Sequence, residues 1–192
     1  MSAQTMRKPS TIPNQQMGMM IFIATEVMFF LALVSSYLVI RARDVAGWAP
    51  PGDITLPVVA TAFNTAILIL SGLMFFVATR YFASEDPLLK QRARTTYFQA
   101  VCLGTFFVVF QGYEWIKLVD YGMTMASSIF GATFFLLIGS HGLHAAAGVI
   151  AMAFTYRKMV KGTLDPNAFK AMFIFWAFIV VAWPFLYGLV YF

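Results

Sequence analysis

The stretch GSHGLHAAAG, residues 139–148, places two histidines inside an otherwise apolar run. His141 and His144 are the only histidines among the 192 residues, and about one helical turn separates them. The run around them extends from Ala126 to about Tyr156, and a helix needs only about 20 apolar residues to cross a membrane. The stretch therefore predicts a membrane-spanning helix whose two polar side chains face the protein interior.

Composition extends this interpretation to the whole chain. The sequence is 60% hydrophobic and 11% charged, whereas a soluble domain is about 25% charged. Apolar runs of this length satisfy their own backbone groups in lipid when they are helical. We therefore predict an all-α integral membrane bundle of five transmembrane helices, forming one domain over residues 1–192. The predicted spans are residues 17–40, 57–79, 95–116, 126–156 and 169–192.

Positive charge in the connections predicts the orientation. Ten basic residues lie on one side of the predicted spans, and three lie on the other, Arg41, Arg43 and Lys117. The positive-inside rule then places the N-terminus in the cytoplasm and the C-terminus outside. The first span is too long for a signal-peptide core and is expected to be retained. The ten residues are Arg7, Lys8, Arg80, Lys90, Arg92, Arg94, Arg157, Lys158, Lys161 and Lys170.

The connections and the single cysteine give three smaller predictions. The segment 48–57, WAPPGDITLP, is expected to be a rigid external turn with Trp48 as an interfacial anchor. The segment 83–94, ASEDPLLKQRAR, is expected to be a charged cytoplasmic link. Cys102 lies in an apolar run and is expected to be a buried packing thiol, and a lone cysteine excludes a disulfide framework.

Glu26 is the clearest ionisable residue inside a span, and such residues usually face the protein interior. It lies slightly before the centre of the first span. The fourth span runs the opposite way and carries His144 at a similar depth. We therefore predict that Glu26 and His144 come within hydrogen-bond or one-water distance. The alternative is that backbone carbonyls or lipid headgroups satisfy each of them separately.

The histidine pair raises the question of a metal or heme. Both rings project from one face of one helix, so a bis-histidine heme would need a ligand from another chain. Two histidines with Glu26 or Glu114 would be a minimal zinc or di-iron set, but this spacing alone is a weak signal. The neighbouring Gly139, Gly142 and Gly148 favour close helix approach. We expect no metal or cofactor bound by this chain.

Other polar residues fall at positions where helices meet. Gln111 and Glu114 lie one turn apart near the external end of the third span, where they predict an interfacial hydrogen-bond network. Asn64, Thr65 and Ser71 form a polar stripe on the second span, which is typical of contacts between helices. Aromatic residues, including Trp176, dominate the fifth span, where Pro184 is expected to introduce a kink.

Together these segments resemble subunit III of heme-copper oxidases, over nearly the whole chain. The resemblance rests on the order and spacing of ATEVMFF (24–30), FNTAILILSG (63–72), FQGYEWIKLVDYG (110–122) and FGATFFLLIGSHGLHAAAGVI (130–150). Five spans are similar to the shorter bacterial form of cytochrome c oxidase subunit III, which lacks two N-terminal helices of the mitochondrial form.

The resemblance implies a non-catalytic subunit of a proton-pumping terminal oxidase in the bacterial plasma membrane. Heme and copper would belong to subunits I and II, cytochrome c would be the electron donor, and a larger respiratory supercomplex is compatible with this role. The chain would pack directly against subunit I, hold structural phospholipids and support proton uptake. The family's membrane glutamate maps onto Glu26, and its histidine pair maps onto His141 and His144.

The sequence departs from the family in the last span. The family commonly has a histidine after the first tryptophan and an aspartate three residues later, where this chain has Ala177 and Val180 in FWAFIVVAW (175–183). The polar network around the fifth span is therefore expected to be thinner than usual, although Trp176 and Trp183 remain.

Other functions stay open from the sequence. A quinol oxidase subunit III or an accessory protein of nitric oxide reductase would share these features, since the donor is chosen by other subunits. A small transporter would predict an internal repeat and interrupted helices, and the sequence shows neither. A free-standing membrane enzyme that uses both histidines and a glutamate would bind a metal.

Overall fold

The computed structural model describes residues 13–43, 48, 50 and 54–192, and all regular structure in these residues is helical. Each of the five helices is long and apolar enough to cross a membrane, which confirms the predicted fold class. The helices are α1 (Asn14–Arg43), α2 (Val58–Phe82), α3 (Pro87–Asp120), α4 (Ile129–Val160) and α5 (Pro166–Tyr191).

The helix ends differ from the predicted spans because local capping extends or shortens them. α3 begins at Pro87 because the Asp86 side chain accepts a hydrogen bond from the Leu88 N–H at 2.8 Å. Most of the predicted link over residues 83–94 is therefore helix, which corrects that prediction. α4 begins at Ile129 and not near Ala126, because Ser128 caps it by accepting from the Gly131 N–H at 2.9 Å.

Two of the helices form the centre of the bundle. α4 packs against α1, α3 and α5, and α5 packs against α1, α2 and α4. α2 and α3 form an antiparallel hairpin whose short connection lies at residues 83–86. α1 lies at the edge, and only Phe30, Val34 and Tyr37 of its residues are buried. The centre of the bundle therefore holds the histidine helix α4, while α1 brings Glu26 to it from one side.

Glycines provide space for aromatic side chains. A Cβ atom added at Gly104 would lie 2.7 Å from the Trp176 ring, and one at Gly148 would lie 3.0 Å from the same ring. A Cβ atom at Gly142 would collide with Trp115, whereas one at Gly139 would meet nothing within 4 Å. The predicted close approach is therefore wrong at Gly139. At Gly142 the close neighbour is the Trp115 ring, and at Gly148 the close neighbours are Ile179 and the Trp176 ring.

The fifth helix shows how the chain accommodates its departure from the family. Val180 packs on α2, where its methyl groups lie 3.0 and 3.1 Å from the position of a Cβ at Gly72. Pro184 lies within α5, which continues to Tyr191. The predicted kink at Pro184 stays a prediction.

The predicted burial of Cys102 is wrong, because this free cysteine is exposed on α3. The reason is physical: a lipid-facing surface is as apolar as a core, so an apolar run in a membrane helix does not indicate which residues are buried. Trp48 is half-buried, with its ring 5.2 Å from that of Tyr37 and 5.5 Å from that of Phe130. It packs on the bundle, while residues 49 and 51–53 of the predicted turn lie outside the described residues.

Candidate functional site

The Glu26 carboxyl and the His144 ring meet where α1 contacts α4. Glu26 Oε2 lies 2.9 Å from His144 Nε2, and the two side chains are 15% and 20% exposed. The contact predicted from matched depth is therefore confirmed. The rings of Phe29 and Phe30 lie 6.2 and 5.4 Å from the His144 ring, so the pair is partly enclosed by aromatic groups.

A second hydrogen bond determines where protons can lie on this pair. His144 Nδ1 is 2.7 Å from the carbonyl oxygen of Ser140, one turn earlier on α4. A carbonyl oxygen only accepts, so Nδ1 must carry a hydrogen and donate it. Glu26 Oε2 and His144 Nε2 lie 2.9 Å apart, and two acceptor atoms would repel each other at this distance. One further proton therefore lies between them. Whichever atom holds that proton, the pair has no net charge, which suits its position inside a membrane-spanning helix.

His141 lies in a different environment from His144, although the two are one turn apart. It is only 1% exposed, and its ring stacks on Trp183 with centroids 5.0 Å apart and an interplanar angle of 28°. Its Nε2 atom has no hydrogen-bond partner among the residues that the structure describes. The prediction that both rings face inward holds for His141, while His144 is half-buried at the contact with α1.

The α2 stripe connects to α3 through an amide pair. Asn64 Nδ2 donates to the Phe107 carbonyl oxygen at 3.1 Å and to Gln111 Oε1 at 3.3 Å. Ser71 donates to the Ala100 carbonyl oxygen at 2.7 Å. The prediction that Asn64 and Ser71 serve in contacts between helices is therefore confirmed.

Two tryptophans of α5 also form hydrogen bonds with the polar stripe of α2. Trp183 Nε1 donates to Thr65 Oγ1 at 2.8 Å, and Trp176 Nε1 donates to Ser71 Oγ at 3.1 Å. Trp176 was predicted to lie in this helix, but neither bond was predicted. The signal was present, because residues 176 and 183 are seven apart and therefore share one helix face.

Gln111 and Glu114 have separate partners. Gln111 pairs with Asn64, whereas the largely buried Glu114 bonds to Lys117 Nζ at 3.3 Å. Sequence reasoning missed Lys117 as a partner, although the spacing of three residues on a helix would have indicated it.

The polar groups of the candidate site lie between helices: Glu26 and His144 share a proton, and the residues of the α2 stripe form hydrogen bonds with α3 and α5. Within residues 13–43, 48, 50 and 54–192, no group of three or more histidine, cysteine, aspartate or glutamate side chains comes together to hold a metal ion. The fold and these contacts define a polytopic α-helical membrane protein whose polar groups join its helices.

Comparisons with known proteins identify the family. The profile of the family described as "Cytochrome c oxidase subunit III" matches residues 6–192, and the chain belongs to this family. It is therefore related to a component of heme-copper oxidase complexes. The five apolar helices in the described part of the chain, together with its bacterial relatives, make it a multi-pass plasma-membrane protein.

Individual relatives agree with the family. A "Probable cytochrome c oxidase subunit 3" of Nocardia farcinica is 32% identical over 94% of this chain and 89% of the relative. A protein of the same description from Mycobacterium leprae is 30% identical over the same shares. The "Cytochrome c oxidase subunit 3" of Drosophila melanogaster is 33% identical over 91% of this chain and 67% of the relative.

Proposed function

We propose that this chain is a non-catalytic structural subunit of a proton-pumping oxidase that receives electrons from cytochrome c. It packs against subunit I in a complex that also contains subunit II, and those partners hold the heme and copper. The chain stabilises the complex, holds membrane lipids against it and supports proton uptake.

The family match over residues 6–192 is the observation that carries this proposal. The geometry supports a structural role, because several polar groups inside the bundle bond to other helices. Glu26 joins α1 to α4, Asn64 joins α2 to α3, and Trp183 joins α5 to α2. These bonds stabilise the packing of the helices and do not surround a reactive centre.

Exposed apolar surface supports assembly with other membrane proteins or lipid. α1 presents residues such as Ile21, Met28 and Leu31 that are 58–71% exposed. In a membrane this surface meets lipid or a neighbouring subunit without the cost it would have in water. We propose that part of it faces subunit I.

Purification of the tagged chain in a mild detergent tests the proposal. We expect heme-bearing and copper-bearing subunits to copurify, with reduced-minus-oxidised heme spectra and oxygen uptake driven by reduced cytochrome c. Uptake driven only by quinol would replace the proposed donor with a quinol. Recovery of the chain without any heme-bearing protein would contradict the proposal.

A further inference from the structure

We draw no further inference here: the strongest candidate, the cavity of about 320 Å³ that Lys90 and Lys170 line between the α2–α3 connection and the start of α5, suits the phosphate of a lipid headgroup at the edge of the membrane, and a lipid held by this subunit restates an established property of the protein.

Discussion

At the scale of single residues, the pair of Glu26 and His144 shows how a membrane protein accommodates two ionisable groups. The Ser140 carbonyl oxygen fixes a hydrogen on Nδ1, and the remaining proton lies between Nε2 and the carboxyl group. The sequence could predict this contact, because antiparallel helices bring residues of equal depth together. It could not predict that His141 stacks on Trp183, since that depends on how α5 packs against α4.

Replacing Glu26 tests the energetic value of this pair. Glu26→Ala leaves His144 Nε2 without its partner and should lower the free energy of unfolding by about 0.6–1.7 kcal/mol. Glu26→Gln should retain most of that stability, because its amide can donate to Nε2. Unfolding in detergent, combined with His144→Ala in a double-mutant cycle, measures the coupling. A coupling near zero would show that the contact does not stabilise the fold.

At the scale of the helices, tryptophans and glycines of different helices fit together. Trp176 lies against Gly104 of α3 and Gly148 of α4, while its indole N–H bonds to Ser71 of α2. One side chain of α5 therefore contacts three other helices. These pairings could not be predicted from the sequence, because they depend on the rotation of each helix about its axis.

A pair of substitutions in α3 tests this fit. Gly104→Ala places a Cβ 2.7 Å from the Trp176 ring and should destabilise the protein by about 1–3 kcal/mol. Gly112→Ala, on the same helix, meets nothing within 4 Å and should be neutral or stabilise the protein by up to about 1 kcal/mol, the gain in helix propensity of alanine over glycine. Thermal unfolding in one detergent compares the two. Equal effects would mean that helix propensity, and not the contact with Trp176, controls stability at these positions.

The hydrophobic pattern of the sequence predicts the number of helices but not which of their residues are buried. Hydrophobic length predicted the five helices, because each must cross the same apolar layer. The same pattern could not show that Cys102 is exposed or that most residues of α1 lie outside the buried core, since lipid and protein core are both apolar. The structure also has a cavity between α3 and α4. The sequence could not predict it, because its walls are side chains of three helices, α3, α4 and α5.

At the scale of the whole molecule, the distribution of positive charge predicts an N-terminus in the cytoplasm. Single cysteines in a Cys102→Ser background test this orientation. Glu85→Cys lies in the connection between α2 and α3 and should react with a membrane-impermeant reagent only from the cytoplasmic side. Met125→Cys, in the exposed connection before α4, should react only from outside. The opposite labelling would contradict the charge argument.

We propose that the chain stabilises an oxidase whose oxygen chemistry takes place in other subunits. Oxygen consumption by an assembled complex carrying Glu26→Ala, normalised to heme content and followed over successive turnovers, tests this role. We expect an initial rate within about twofold of the unchanged complex, together with faster inactivation or weaker association with subunit I. An initial rate near zero at normal heme content would contradict it, because Glu26 would then be required for turnover itself.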